Sequence, residues 1–275
     1  MDLTPRTRNQ YIKKISRFVD WVQEGGWSSD VLIRFKTYLR DDVNLTTSSK
    51  NIHLTVSRIF CNRLNQLRVF PFEFDTPKNF NTSQRHKRPP ITKSDIGKIF
   101  DFVDSDLFLK TLFTVLYFQG LRSEETRNIR IENIQLDNGR MMISGKGRDG
   151  DMEEILLHPR SIEVLSEYIK DIQKSSGPLF NGRFPNRPIG PTKFWTSITD
   201  VFKELGIQNS PHGLRKSFVS SLVENPDLDL ITISKFSRHK SINTLSVYFD
   251  RVSIERSFPT VVNSLNISGD SITEG

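Results

Sequence analysis

Apolar residues in the first 66 positions recur at helical rather than alternating spacing. Thr4-Pro5 makes a good helix start, and Tyr11, Ile15, Phe18, Val19 and Val22 then fall on one face until Gly25-Gly26 ends the run. A second helix is predicted from Ser28-Ser29-Asp30 with Leu32, Phe35 and Leu39 inward. A third starts at Thr46-Thr47 and carries Ile52, Val56, Ile59, Phe60 and Leu64. Residues 1–80 therefore read as a small helical domain. Across 81–90 the apolar pattern gives way to Ser83-Gln84-Arg85-His86-Lys87-Arg88-Pro89-Pro90, a basic, proline-ended stretch expected to link two domains.

The pattern resumes at Thr92, which can cap a helix carrying Ile96, Ile99, Phe100 and Val103, with Asp95 favourably placed in the first turn. A strongly apolar helix is predicted over 107–118. Three short β-type runs follow, at Ile134-Leu136, Met141-Ser144 and Glu153-Leu157, the last two flanking the turn-rich Gly145-Lys146-Gly147-Arg148-Asp149-Gly150. They predict a small antiparallel sheet. From about 160 to 256 the chain reads as helical, broken at Gly177-Pro178, Pro185 to Pro191, Gly206 and Pro226. The fold class is mainly α with a small antiparallel β-sheet.

Composition sharpens this picture in three ways. The 275 residues can bury two cores, and a net charge of +7 with a pI near 9.5 favours a polyanionic partner such as nucleic acid. The single cysteine, Cys61, can form neither an internal disulfide nor a thiolate metal site, and reads as a small buried side chain. With no apolar run near the roughly 20 residues of a membrane span and no signal-peptide pattern, a cytoplasmic protein without membrane contact is expected.

Six residues carry the candidate chemistry, in the order Arg122, Lys146, His212, Arg215, His239 and Tyr248. Gln119-Gly120-Leu121-Arg122 follows the apolar helix, so Gly120 should end it and Arg122 should sit at the turn into the next helix. Its planar fork can take two phosphate oxygens and keeps its charge. Lys146, at the hairpin tip, is long and mobile enough to act as a general acid. His212 and Arg215 lie three residues apart at the start of a helix beginning near Pro211, where backbone N–H groups also favour an anion. Tyr248 can attack a phosphodiester, although a phenol of pKa about 10 needs cations or a base to activate it. Each residue alone is commonplace. Together they describe a phosphoryl-transfer site that needs no metal and no cofactor.

With these residues in hand, the chain resembles the tyrosine recombinase family, the phage-integrase and Xer-like site-specific recombinases, over roughly Pro5 to Arg251. The matching features are Gly120-Leu121-Arg122 with Glu125 three residues on, Lys146 in a hairpin, the His212-x-x-Arg215 pair, His239, and Tyr248 shortly after it. Three positions depart from the pattern. Arg238 precedes His239 where glycine is usual, Lys216 follows Arg215 where His or Asp is common, and Ser123 replaces an apolar residue. Arg238 puts the geometry of the His239 turn in question, or supplies an additional DNA-contacting cation.

The resemblance implies a two-domain DNA clamp. It comprises a core-binding domain (1–80), a linker (81–90), a catalytic domain (91–256) and a C-terminal tail (257–275) whose Phe258, Val261, Val262, Leu265 and Ile267 could be exchanged between protomers. It also implies double-stranded DNA as partner, a homotetramer on two DNA sites, monomers when free, and room for an accessory DNA-bending protein. The chain opens on the core-binding helix, so no arm-site domain is expected. The implied reaction cleaves and rejoins DNA through a 3′-phosphotyrosine and a Holliday junction. Two alternatives stay open: a type IB topoisomerase-like nicking and resealing enzyme, and a non-catalytic DNA-binding protein of the same fold.

Overall fold

The computed structural model describes residues 5–81, 89–144, 151–184, 186–239 and Leu245. The 82–88 stretch, Lys146 with its hairpin tip, Tyr248 and the 257–275 tail lie outside the described residues. The chain divides into two compact units, Met1–Gln84 and Arg85–Gly275.

The first unit holds α1 (Pro5–Gly25), α2 (Val31–Asp41) and α3 (Thr47–Gln66). α3 starts where Thr46 accepts a hydrogen bond from the Ser49 N–H at 3.3 Å, the capping expected of a Thr-Thr start. Phe18, Val22, Leu32, Phe35, Leu39, Leu54 and Cys61 are fully buried between the helices. After α3 comes a segment for which the periodicity predicts nothing. Phe70, Phe72 and Phe74 leave regular structure yet stack on the core, Trp27 lying 5.0 Å from Phe70. The end of this segment is pinned by Asn51, whose side-chain oxygen accepts from the Phe80 N–H (2.8 Å) while its amide donates to the Phe80 carbonyl (2.9 Å). These clustered rings, not helix propensity, hold the segment down.

In the second unit, α4 (Lys93–Val103) is capped by Thr92, which accepts from the Asp95 N–H at 3.1 Å. α5 (Leu107–Phe118) is the spine, with six consecutive buried residues from Thr111 to Leu116. α6 (Ser123–Arg127) is a single short turn, followed by a 3₁₀ turn at Ile131–Asn133. β1 (Ile134–Gln135), β2 (Arg140–Ser144) and β3 (Met152–Leu156) form an antiparallel sheet in that order, with Met141 opposite Ile155. The third strand begins and ends one residue before the predicted bounds, and the Leu157 N–H still donates to the Gly139 carbonyl at 2.7 Å, the next pair of the same register. Helices α7 (Pro159–Asp171), α8 (Pro191–Glu204), α9 (Pro211–Val223) and α10 (Leu230–Ser237) complete the described part. α5 packs on α7 and α9, and α9 on α10, so the C-terminal end of α5, the body of α9 and the end of α10 converge. Among the described residues no helix is long and apolar enough to cross a membrane.

Candidate active site

The convergence begins with a glycine. Gly120 ends α5 with φ +54°, a left-handed conformation that glycine adopts without penalty. A Cβ there would also run into the Phe218 ring on α9, so the turn can be close-packed only because the side chain is absent. The chain then reverses and Arg122 becomes the residue before α6. Its backbone N–H donates to Glu125 Oε2 (2.8 Å), and its guanidinium donates to Glu125 Oε1 (2.5 Å) and to the Arg238 carbonyl (2.9 Å). The Arg122 side chain is about one-third exposed, whereas that of Glu125 is buried.

Arg215 approaches the same turn from α9. Only 2% exposed, its guanidinium donates to the carbonyls of Gly120 and Ser237, bridging the end of α5 to the end of α10. A buried guanidinium is costly unless it is paired. Here two main-chain carbonyls satisfy part of its fork and aim it. His212, one turn earlier on α9, is exposed. His212 and Arg215, three residues apart on α9, thus lie one at the surface and one in the interior.

Arg238 corrects an expectation. Its backbone is left-handed (φ 54°, ψ 43°) and closes α10, the role for which glycine is the usual solution. Its side chain turns inward and is 6% exposed, donating to the carbonyls of Gln119 (3.2 Å) and Gly120 (3.0 Å) and to Glu125 Oε2 (3.3 Å). It is not the DNA-contacting cation that the sequence suggested. It is an internal brace, drawn inward because the C-terminal carbonyls of α5 and the buried Glu125 carboxylate offer a cation its best partners.

This arrangement sets the electrostatics. Burial pushes the Glu125 carboxyl up, but the Arg238 charge, the Arg122 N–H and the Arg122 guanidinium outweigh it and hold Glu125 below the ordinary carboxylate range. Burial pulls Arg238 below the ordinary arginine value, against the attraction of Glu125. Three guanidiniums (Arg122, Arg215, Arg238) surround the turn, with Glu125 paired to two of them and the Glu153 charge also acting on Arg238. His239 follows Arg238. Burial first, then the charges of Arg215, Arg122, Arg238 and His212, depress its pKa to about 4, so it is neutral at physiological pH. Its Nδ1 lies 2.7 Å from Ser237 Oγ.

Of the six candidate residues, the structure draws Arg122, Arg215 and His239 into one cationic centre, with His212 near enough for its charge to act on His239. Lys146 and Tyr248 lie outside the described residues. Sequence reading gave no warning of the inward Arg238 or of Ser237. The one available signal was an arginine standing where a left-handed turn calls for glycine. Among the described residues, no group of three or more His, Cys, Asp or Glu side chains is arranged to hold a metal ion.

Comparison with known proteins bears on this centre. Residues 90–253, which include Arg122, Arg215, Arg238 and His239, match the phage integrase family model. The tyrosine recombinase XerA of Pyrococcus horikoshii is 26% identical over 160 residues, covering 58% of this chain and 55% of that protein. The tyrosine recombinase XerD of Listeria innocua is 28% identical over 190 residues, covering 64% and 61%. The matches thus span little more than half the length of these curated relatives. Among solved structures, the Tn1549 transposon integrase in complex with circular intermediate DNA superposes with a TM-score of 0.74 at 13% identity, over 96% of this chain and 95% of that one. The XerH site-specific recombinase bound to its palindromic difH substrate gives 0.73 at 16% identity, over 93% and 79%. At such identities the structural likeness concerns the fold.

Proposed function

The chain belongs to the phage integrase family, and on that premise we propose that it is a site-specific tyrosine recombinase that cleaves and rejoins DNA strands through a covalent 3′-phosphotyrosine. The observation that carries the reading is the convergence of Arg122, Arg215 and His239 at the ends of α5, α9 and α10, inside the segment that matches the family.

A scissile phosphate in this centre faces two guanidiniums whose positions are fixed by backbone carbonyls and by Glu125 before substrate arrives. Such preorganised donors stabilise charge developing on the non-bridging oxygens without reorganising during the reaction. In the proposed reaction the Tyr248 phenol oxygen attacks phosphorus, its proton passing to His212, while the bond from phosphorus to the 5′-oxygen breaks and Lys146 protonates the departing oxygen. The products are a 3′-phosphotyrosine and a free 5′-hydroxyl. One phosphodiester replaces another, so rejoining to a 5′-hydroxyl of a second duplex needs no external energy source. His239 donates a hydrogen bond to the phosphate.

In the same reading the two units are the arms of a clamp on duplex DNA. Four protomers act on two sites, passing the 257–275 tail from one protomer to the next while DNA strands are exchanged through a Holliday junction, with an accessory bending protein where the site requires one. Phosphate contacts supply affinity, and base contacts with DNA shape supply site choice.

The test uses purified protein and nicked duplexes drawn from DNA flanking its own gene, scored for an SDS-resistant, protease-sensitive adduct. Adduct with wild type and none with Tyr248→Phe is expected. Specific binding without adduct would replace this reading with that of a non-catalytic DNA-binding protein. Relaxation of a supercoiled plasmid lacking the bound site would replace it with a topoisomerase.

A further inference from the structure

The serine before Arg238 has a geometry that bears on which ring nitrogen of His239 carries the proton. Ser237, the last residue of α10, is fully buried and held at both ends. Its carbonyl accepts from the Arg215 guanidinium, and its Oγ lies 2.7 Å from His239 Nδ1. A hydroxyl has one proton to give. The other acceptor within reach is the Ser234 carbonyl at 3.4 Å, which already takes the His239 N–H at 3.1 Å and caps the Arg238 N–H. The 2.7 Å spacing matches the short separations of O–H donors rather than the longer ones of N–H donors. A hydroxyl proton given to Nδ1 goes to the nearer of its two acceptors, 2.7 Å against 3.4 Å. The backbone of His239 is held in turn by the Ser234 hydroxyl, which donates to the His239 carbonyl at 3.0 Å.

We propose that Ser237 is a positioning residue that holds His239 in the tautomer protonated at Nε2, so that the ring offers the phosphate site a donor rather than a lone pair. The inference rests on the recombinase reading for its purpose, though not for its test. A doubly protonated imidazolium would donate from both nitrogens and need no such control. Flanked by Arg122, Arg215 and Arg238 and partly buried, His239 is held neutral, so a single proton must be placed on the correct side. With the opposite tautomer, Nε2 would point a lone pair at an anionic oxygen, and the interaction would turn from attraction to repulsion.

The test reads the tautomer in DNA-free, full-length protein labelled with ¹⁵N-histidine, using long-range ¹H–¹⁵N correlation at pH 7. The His239 signals are identified by their loss in His239→Gln. Wild type should show a pyridine-like Nδ1 and a protonated, pyrrole-like Nε2. Ser237→Ala should move the ring to a mixture or to the Nδ1-protonated form, and Ser237→Thr, which keeps the hydroxyl, should restore the wild-type pattern. On a duplex that yields adduct, Ser237→Ala should slow cleavage about tenfold at unchanged DNA affinity, the loss of one net hydrogen bond of about 1.4 kcal/mol. A wild-type ring protonated at Nδ1, or an unchanged tautomer in Ser237→Ala, would overturn the proposal. Because the tautomer is read without DNA, a chain that cleaves no duplex would refute the recombinase reading while leaving this result decided on its own terms.

Discussion

In the unit Met1–Gln84, nearly everything buried is apolar and much of it aromatic. Phe18 lies edge-on to Phe35 at 4.8 Å, and Trp27 contacts Phe18, Phe60, Phe70 and Phe74. Its ion pairs, Arg17 with Asp42 and Arg34 with Asp30, stay at least partly exposed. The unit Arg85–Gly275 has an equally apolar main core around α5, but at one edge it buries Arg215, Arg238 and Glu125. Removing charges from water works against folding, whereas burying rings favours it. The second unit thus carries a destabilising charge cluster that the first lacks. The cluster lies at the turn where the candidate residues meet, which suits holding an anion better than holding a fold together.

Four changes would break or sharpen that contrast. The largest effect is expected from Glu125→Ala, which leaves Arg238 buried without its carboxylate. A loss of about 3–5 kcal/mol is expected, confined to the second unit, with adduct formation abolished. Hydrogen exchange of the full chain resolves the two units and should show protection lost in α5, α9 and α10 only; loss in α1 to α3 would count against the contrast. The mirror image is Phe35→Ala, a cavity among rings costing about 3 kcal/mol in the first unit. The Trp21 and Trp27 fluorescence should report unfolding at lower denaturant while second-unit exchange stays put.

Arg238→Gly is a smaller and more informative step, because it restores the residue a left-handed turn prefers and at the same time removes the brace. Relief of roughly 1 kcal/mol of backbone strain offsets part of the lost charged hydrogen bonds, leaving a net loss of about 1–2 kcal/mol. Urea unfolding measures it, and a gain in stability would show the brace to be dispensable. The smallest effect is confined to acid. His239 is depressed from 6.5 to about 4, so the unfolded chain takes up a proton below pH 6.5 while the folded one resists it. Its contribution is complete above 6.5 and fades as pH falls towards 4. His239→Gln should therefore flatten the second unit's stability between those values. Glu125, held below the ordinary carboxylate range, adds a further loss of the same sign at still lower pH. Since burial also depresses His53 in the first unit, acid alone will not separate the units, and the comparison needs the variant.

Much of this protein could be read along the chain. Thr46 and Thr92 cap the helices they were expected to start, the apolar run over 107–118 is α5, and Gly120 makes the turn that puts Arg122 before α6. The sheet is antiparallel, as the short alternating runs implied. Less legible was the Phe70 to Phe80 segment, which has no period of its own and is held by rings and by Asn51 from 29 positions earlier.

Local pattern determined the helices, their caps, the sheet and the identity of the residues able to hold a phosphate, because propensity, capping and hydrophobic periodicity act between residues a few positions apart. Tertiary structure alone decided that Arg122 reaches the Arg238 carbonyl across 116 positions, and that Arg238 spans 113 positions to Glu125 instead of facing outward. It also decided that packing of α9 on α5, and of α10 on α9, leaves His239 neutral beside Ser237. Those outcomes depend on which carbonyls and charges the fold leaves facing one another away from water, a property that no stretch of sequence possesses until the helices have packed.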